Sequence, residues 1–287
     1  MIAAINWDIS SEIFDGYKTP NLYGLLFVTG LILGYFVVKR MFKKEGVDEQ
    51  AMDKLVLYMV LGTIIGARLG HVFFYGPYWD IVDVDGVVLE RGYLSHPMDI
   101  LKVWEGGLAS HGAAVALLIM LFIYSKKVVK KPFLWILDRI SAPTAIGATF
   151  IRLGNLVNHE MVGDETTLPW GFRFLHHDCP YPYECSWNAI PVRHPAQLYE
   201  AICYFIAFVV LLFLYWKRDL WKKPGVIFGT FLIFIFGSRF FVEFVKLGQT
   251  ARDEYLYFNT GQLLSIPLVL IGFYLLFKGL TKKELAA

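Results

Sequence analysis

The sequence predicts an all-α polytopic membrane protein with seven transmembrane helices, a small external head and an arm segment. Seven apolar stretches approach the ~20 residues that an α-helix needs to cross ~30 Å of hydrocarbon. Clusters of lysine and arginine follow every second stretch, and 56% of the residues are hydrophobic. One membrane-embedded domain over residues 1–287 is therefore expected, rather than several soluble domains.

The apolar stretches give the order and direction of the predicted helices. They are Leu22–Val38, Leu55–Tyr75, Gly107–Tyr124, Phe133–Ile151, Pro195–Trp216, Val226–Phe244 and Leu263–Phe277. Basic clusters follow the first, third, fifth and seventh stretches, at Lys39/Arg40/Lys43/Lys44, Lys126/Lys127/Lys130/Lys131, Lys217/Arg218/Lys222/Lys223 and Lys278/Lys282/Lys283. The positive-inside rule places these clusters in the cytoplasm, so the N-terminus is expected outside and the C-terminus inside.

The fourth stretch is the least certain to face lipid, because it contains two charged residues, Asp138 and Arg139, near its cytoplasmic start. Two alternatives remain open for them. They either lie at the membrane interface or form an ion pair inside the bundle.

Two exported segments are long enough to have structure of their own. The first, about residues 76–106, contains the turn signal Asp83-Val84-Asp85-Gly86 and is expected to form a hairpin or an arm along the membrane surface. The second, residues 154–194, is rich in glycine and proline and is expected to form a small head with turns and short strands. Cys179 and Cys185 lie in this head, where a disulfide is favoured over two free thiols.

Polar residues of the apolar stretches concentrate in the outer half of the membrane. They include Tyr23, Arg68, His71, His111, Arg152, Asn155, Asn158, Glu160, His194, Gln197, Tyr199, Glu200, Arg239 and Glu243. A charge in hydrocarbon costs at least ~2.5–3.5 kcal/mol, so such residues normally face a bundle interior or a wet cavity. We therefore expect a polar cavity open to the outer leaflet, with structural ion pairing as the alternative. Arg239 and Glu243, spaced i and i+4, are one such potential pair.

Arginine and histidine suggest the chemistry of this cavity. A guanidinium binds phosphate oxygens through two parallel hydrogen bonds, so Arg152 and Arg239 beside Asn155 and Asn158 predict a clamp for a phospholipid headgroup. His111 is either an interfacial hydrogen-bonding residue or a general base, since histidine titrates near pH ~6.5. Arg68 is expected to be structural, because Gly66-Ala67-Arg68-Leu69-Gly70 is typical of close helix packing.

Other chemistries are disfavoured by the sequence. His176-His177-Asp178 has no second ligand pair at metal-site spacing, and no P-loop or His-Glu-x-x-His run occurs. The basic clusters are confined to predicted cytoplasmic turns and do not indicate nucleic-acid binding. No metal and no redox cofactor are expected.

Several motifs resemble those of the phosphatidylglycerol–prolipoprotein diacylglyceryl transferases, which begin bacterial lipoprotein maturation. The strongest match, residues 152–163, reads Arg-Leu-Gly-Asn-Leu-Val-Asn-His-Glu-Met-Val-Gly and resembles the family signature G-R-x-x-N-F-x-N-x-E-x-x-G. Further matches in family order are Leu22–Leu25, Gly66–Gly70, Val103–Gly112, Arg193–Glu200, Arg239–Phe244 and Gly261–Ser265. Departures from the family pattern include His111-Gly112-Ala113 for the usual His-Gly-Gly, and His159 for the usual glycine before the glutamate.

The resemblance implies transfer of a diacylglyceryl group from phosphatidylglycerol to the cysteine thiol of a preprolipoprotein lipobox, in the bacterial inner membrane. It implies that His111 is the base, that Arg152 and Arg239 bind phosphate, and that Glu243 holds Arg239. Tyr23, Asn155, Asn158, Glu160, Gly163 and His194 would bind substrate, with Arg68 and Glu200 as supporting residues. The bilayer is the setting, and nucleic acid is not a partner. An outer-leaflet phospholipid-binding transporter is the rival function, and a lipid phosphatase is disfavoured because no histidine pair accompanies Ser238-Arg239.

Overall fold

The computed structural model describes residues 4–14, 17–248 and 258–281, and most of these residues are helical. Seven of the helices have 17 residues or more: α1 (Leu22–Lys44), α2 (Glu49–Phe74), α3 (Ser110–Lys127), α4 (Phe133–Val157), α6 (Ala196–Trp216), α7 (Val226–Val242) and α8 (Thr260–Thr281). A short helix, α5, spans Leu175–Asp178. Each long helix coincides with one of the seven predicted apolar stretches. Of the predicted basic clusters, Lys282 and Lys283 lie outside the described residues.

The described part of the chain contains five helical segments that are long and apolar enough to cross a membrane. They are α1, α2, α6, α8 and the segment Val226–Val245, which extends α7 by one turn. The chain is thus a multi-pass membrane protein. Two of the seven long helices, α3 and α4, are not among these five. The count of seven spans therefore stays a prediction.

Short strands join distant parts of the chain. They are β1 (Ile5–Trp7), β2 (Glu12–Phe14), β3 (Tyr17–Asn21), β4 (Ile81–Val82), β5 (Val88–Glu90) and β6 (Phe172–Phe174). β1 pairs in parallel with β6, whereas β2 pairs antiparallel with β3, and β4 with β5. The β4–β5 hairpin confirms the predicted turn, in which Gly86 has a φ of 79° and donates its N–H to the Asp83 carbonyl at 3.1 Å. Strands were expected in the arm and the head, but β1, β2 and β3, which precede α1, were not expected.

The structure divides into two compact units, Met1–Met41 with Leu137–Ala287, and Phe42–Ile136. The core of the first unit is apolar and includes Ala142, Ala207, Leu211, Ile227 and Leu232, all nearly or fully buried. Within this unit α7 and α8 approach through glycine, since a Cβ at Gly229 would lie 2.7 Å from the Gly272 carbonyl oxygen. Small residues permit such approach where lipid tails leave little hydrophobic driving force between helices.

The second unit is built on the close packing of α2 against α3. A Cβ at Gly66 would lie 2.7 Å from the Gly112 carbonyl oxygen, and one at Gly70 would lie 2.6 Å from the Gly112 Cα. The packing expected from the Gly66–Gly70 motif is therefore observed. It holds the first turn of α3, which carries His111, against α2.

Asp138 and Arg139, near the start of α4, are both buried within the protein. Asp138 and Arg139 are 0% and 1% exposed, and Arg139 Nη1 is 3.9 Å from Asp138 Oδ2. The Asp138 carboxylate accepts the backbone N–H groups of Gly225 and Phe228, both at 2.8 Å. Asp138 thereby satisfies free N–H groups at the start of α7 and places a negative charge at the positive end of its dipole.

Candidate active site

A buried ion pair joins α4 to α6 in the first unit. Arg152 Nε lies 2.8 Å from Glu200 Oε2, and the two side chains are 14% and 0% exposed. Although the contact is close, Glu200 Oε2 accepts no well-aligned hydrogen bond, so the pair is held chiefly by charge. The Tyr204 hydroxyl donates to the other carboxylate oxygen, Oε1, at 3.5 Å. Removing either member of such a buried pair destabilises the protein, because the other charge is then left buried without a partner.

A second set of contacts runs from Arg152 to the end of α4. Arg152 Nη1 donates to Asn155 Oδ1 at 3.3 Å, and Asn155 Nδ2 donates to Glu160 Oε2 at 3.1 Å. Asn158 Nδ2 donates to Glu160 Oε1 at 3.1 Å. The structure therefore brings four predicted site residues into one hydrogen-bonded chain. Its inner end is the half-buried guanidinium and its outer end is the exposed Glu160 carboxylate.

His159 turns away from this chain and into the head. Its φ of 55° lies in the left-handed region, which favours glycine and which histidine tolerates better than most residues. Its Nε2 faces the Ile9 carbonyl at 3.1 Å, and its Nδ1 accepts the His176 N–H at 3.3 Å. Because Nδ1 is an acceptor, Nε2 carries the proton. Burial lowers the pKa of His159 to about 4, so the ring is neutral at pH 7.

Arg239 is a half-buried guanidinium that makes no hydrogen bond and no ion pair within residues 4–14, 17–248 and 258–281. Its charge nevertheless acts on Tyr204 and Lys246, which also feel the charges of Arg152 and Glu200. Arg239 therefore lies at the same site as the Arg152–Glu200 pair, and its hydrogen-bond donors are available for a ligand.

Glu243 does not pair with Arg239, which corrects the expectation from their i, i+4 spacing. The helix α7 ends at Val242, and the chain tightens into a 3₁₀ turn over Glu243–Val245, although the Glu243 N–H still donates to the Arg239 carbonyl. The carboxylate lies 3.7 Å from Lys246 Nζ instead. It also packs on Gly261, where a Cβ would meet Glu243 Cδ at 2.7 Å.

Lys246 is a site residue that the sequence reading missed. It is 5% exposed, and its burial lowers its pKa, against the opposing effect of Glu200 and Glu243. Its position in the sequence could have indicated this role. Lys246 follows Glu243 by three residues, and the predicted topology places it on the side of the membrane opposite to every predicted basic cluster. The site thus contains three cationic residues (Arg152, Arg239 and Lys246) and three carboxylates, of which Glu200 and Glu243 are buried and Glu160 is exposed.

Two further residues fasten the ends of α7 and α8 beneath this site. Gln262 Nε2 donates to the Phe240 carbonyl at 3.3 Å, and Asn259 Nδ2 donates to the Glu243 carbonyl at 3.4 Å. Asn259 Oδ1 accepts the Gln262 N–H at 2.9 Å, which caps the start of α8. The motif Gly261–Ser265 therefore fixes the position of Glu243 from the facing helix.

Gly163 packs closely against the backbone of two other segments, around His194 and Lys246. Its N–H donates to the His194 carbonyl at 2.9 Å, and it pairs with Lys246 in an antiparallel bridge. A Cβ at Gly163 would lie 2.5 Å from the Val245 carbonyl oxygen. Any side chain would thus displace the segment that carries Lys246.

Tyr23 and His194 lie at the edge of the same unit. The Tyr23 ring packs on Gly154, where a Cβ would come within 2.7 Å of Tyr23 Cδ2, so the ring lies beside the turn of α4 that carries Arg152. His194 Nδ1 is 3.2 Å from the Tyr199 hydroxyl, which also accepts the indole N–H of Trp170 at 3.0 Å. His194 therefore belongs to a polar chain at the start of α6.

The head next to the site is cross-linked. A disulfide joins Cys179 and Cys185, as the sequence favours. Arg193 donates through Nε and Nη2 to the Asp178 carboxylate, and this hydrogen bonding raises the pKa of Arg193. Within the described residues, no group of three or more His, Cys, Asp or Glu side chains is placed to hold a metal ion.

In the second unit, Arg68 has the contacts of a structural residue. It is 5% exposed and donates to the carbonyl oxygens of Ile100, Gly106, Gly107 and Asp99. Gly107 has a φ of 67°, and a Cβ there would lie 2.7 Å from Arg68 Nη1, so only glycine fits. Arg68 thereby anchors the backbone of residues 99–107, which lead into α3.

His111 lies in the first turn of α3 and is exposed. Its ring has no hydrogen-bond partner within the described parts of the chain. The imidazole is thus accessible for proton transfer.

Comparison with known proteins gives a consistent result. A family model described as "Prolipoprotein diacylglyceryl transferase" matches residues 15–278. A phosphatidylglycerol–prolipoprotein diacylglyceryl transferase of Porphyromonas gingivalis is 44% identical over 283 residues, covering 96% of this chain and 95% of the relative. Proteins of the same name from Chloroherpeton thalassium and Tolumonas auensis are each 40% identical, and cover 98% and 92% of this chain and 96% and 92% of their own lengths.

Proposed function

The chain belongs to the prolipoprotein diacylglyceryl transferase family, and we propose that it transfers the diacylglyceryl group of phosphatidylglycerol to the cysteine thiol of a prolipoprotein. The observation that carries the proposal is the unpaired guanidinium of Arg239 beside the buried Arg152–Glu200 pair. Such a site fits a single phosphate group held in the outer part of a membrane bundle.

The reaction requires that one carbon–oxygen bond breaks and one carbon–sulfur bond forms. A thiolate attacks the glycerol CH₂ carbon that bears the phosphate, the bond between that carbon and the phosphate oxygen breaks, and glycerol phosphate leaves with the electron pair. The product is a thioether. Arg152 and Arg239 bind the phosphate and stabilise the charge that develops on it. Glu200 holds Arg152 in place, since it is the ion-pair partner of that guanidinium.

His111 is the proposed base that removes the thiol proton. A free thiol has a pKa of ~8.5, so only a small fraction is thiolate at neutral pH without a base. Histidine is suited to this task because its ordinary pKa is ~6.5. The exposed ring of His111 and its lack of a partner within the described residues support the assignment.

The remaining predicted residues have roles around the headgroup. A hydrogen-bonded chain leads outward from Arg152 through Asn155, Asn158 and Glu160. We assign these three residues to orienting the headgroup. Tyr23 lies beside the turn of α4 that carries Arg152, and we assign it to hydrogen bonding with the lipid or the peptide. Gly163 acts by leaving room for the backbone of residues 245–246, and His194 by its contact with Tyr199. Glu243 positions Lys246 rather than Arg239.

The proposed topology has seven spans in the bacterial inner membrane, with the N-terminus outside. The head, residues 154–194, is then an external insertion within one transferase domain. The Cys179–Cys185 disulfide supports this orientation, because disulfides persist in oxidising compartments and not in the cytoplasm. The lipobox cysteine of a secreted precursor would meet the enzyme on that side.

A reconstituted assay tests the function. The purified protein is incubated with a lipobox peptide in vesicles of phosphatidylglycerol, or of phosphatidylcholine alone, and peptide conversion is followed by chromatography. Conversion only with phosphatidylglycerol, and none with a peptide whose cysteine is serine, supports the transferase. Lipid movement across the bilayer without peptide modification would instead support the transporter. The burial of Asp138 and Arg139 in helix contacts disfavours that alternative, because a transporter needs polar residues along the cytoplasmic path.

A further inference from the structure

One fully buried polar side chain near the arginines has no partner. Gln197, the second residue of α6, is 0% exposed, and both its amide oxygen and its amide nitrogen lack a hydrogen bond within the described parts of the chain. A buried amide left in this state destabilises the folded protein, so its retention calls for a functional reason.

The position of Gln197 indicates what it faces. The buried face of α6 carries Gln197, Glu200, Ala201 and Tyr204, which are spaced by three or four residues and so lie along one side of the helix. Glu200 on this face holds Arg152. Gln197 therefore lies about one helical turn before Glu200, the ion-pair partner of Arg152, towards the end of α6 that follows the head.

The chemistry of an amide restricts the ligand. Its NH₂ group donates hydrogen bonds and its oxygen accepts them, so a group that does both satisfies it fully. The glycerol headgroup of phosphatidylglycerol has hydroxyls immediately beyond the phosphate, and each hydroxyl donates and accepts. An ammonium headgroup only donates, and it would leave the amide NH₂ facing a cation.

We propose that Gln197 is a specificity-determining residue that reads the glycerol hydroxyls of the phosphatidylglycerol headgroup while Arg152 and Arg239 hold its phosphate. The inference rests on the proposed transferase function and adds the residue that distinguishes a hydroxylated headgroup from others. Sites built to hydrogen-bond a substrate hydroxyl discriminate strongly against analogues that lack it, because the buried polar group is then left unpaired.

The test compares two lipids and two proteins. Dioleoyl phosphatidylglycerol is compared with dioleoyl phosphatidylpropanol, which keeps the phosphate and the chain length of the headgroup but has no hydroxyl. Each lipid is assayed with the wild type and with the Gln197→Met variant, in which an apolar side chain of similar length replaces the amide. We expect the wild type to lose about 10- to 100-fold in kcat/KM without the hydroxyls, and Gln197→Met to lose a similar factor on phosphatidylglycerol. On phosphatidylpropanol the two proteins should agree within about threefold.

A second readout separates this role from a structural one. Because Gln197 has no partner in the folded protein, Gln197→Met should unfold at the same or a higher temperature in detergent, despite its lower activity. The matched control is Thr230→Val, which removes a buried hydroxyl in α7 that bonds only to its own helix, to the Val226 carbonyl at 2.8 Å. Thr230→Val should keep the lipid preference of the wild type.

Several results would overturn the assignment. The first is equal use of both lipids by the wild type. The second is a Gln197→Met variant whose kcat/KM falls equally on both lipids, or does not fall at all. The third is a raised KM of that variant for the lipobox peptide with both lipids, which would assign the amide to the peptide. If Gln197→Met unfolds at a clearly lower temperature, the residue is structural. A wild type that modifies no peptide with either lipid refutes the proposed function itself, which is a different outcome from an active enzyme without headgroup preference.

Discussion

At the scale of residues, the two arginines of the site differ in how the protein uses them. Arg152 already contacts Glu200 and Asn155, so its position is fixed from both sides. Arg239 has no such partner among the described residues, although it lies in the field of the same charges. The fixed guanidinium gives the site its geometry and the free one gives it unused donors. Both are required if phosphate is bound through parallel hydrogen bonds.

Replacing either arginine by lysine should therefore remove most activity while keeping the charge. An ammonium group is a point donor and does not reproduce the planar fork, so we expect kcat to fall by about 100-fold or more in Arg152→Lys and in Arg239→Lys. The measurement is peptide conversion at saturating phosphatidylglycerol. Arg218→Lys, at an exposed position on the side of a predicted basic cluster, is the control that should stay active. Near wild-type turnover in both site variants would make these arginines structural.

The proposed base gives a pH-dependent prediction. His111→Gln keeps a hydrogen-bonding group of similar size but does not accept the thiol proton. This variant should fold, bind phosphatidylglycerol and be nearly inactive at pH 7. It should recover steeply towards pH 9, because the thiolate fraction of the peptide rises about tenfold per pH unit below the thiol pKa of ~8.5. The rate is measured from pH 6.5 to 9. A variant that is equally inactive at every pH would point to substrate orientation, and a fully active one would remove His111 from the mechanism.

At the scale of elements, the apolar stretches predicted all seven long helices, and the Asp83–Gly86 turn predicted the β4–β5 hairpin. These features are encoded locally, in hydropathy and in turn residues. The parallel pairing of β1 with β6 was not predicted, since it joins residues near positions 5 and 172 and only tertiary contacts select it. The same holds for the position of Glu243, which follows from the end of α7 and the facing Gly261.

The direction of the helices is tested by labelling their connecting segments. Lys127 at the end of α3 and Asp164 in the head are both exposed, and each is replaced singly by cysteine. Cys203, the only unbridged cysteine, is changed to alanine in the background. With an impermeant maleimide on intact cells, Asp164→Cys should react at once and Lys127→Cys only after the membrane is permeabilised. Reaction of both from the same side contradicts the proposed topology.

At the scale of the whole molecule, the basic residues fall into two groups that differ in burial. Most described lysines and arginines of the predicted basic clusters are exposed, while Lys246 and Arg152 are largely buried near carboxylates. Hydropathy and the positive-inside rule predict that the basic clusters and the polar motif residues lie on opposite sides of the membrane. The sequence alone did not indicate that Arg152 contacts Glu200 or that Lys246 contacts Glu243, because the first pair joins two helices and the second lies in a turn whose shape depends on its neighbours.

The central claim is that this site breaks the bond between the diacylglycerol CH₂ carbon and the phosphate oxygen. Phosphatidylglycerol is prepared with deuterium either in the diacylglycerol backbone or in the headgroup glycerol, and the lipobox peptide is analysed by mass spectrometry after reaction. The account predicts that the backbone label appears on the cysteine and that the headgroup label is released with the phosphate. Headgroup label on the peptide, or a peptide that carries only a fatty acyl group, would contradict it.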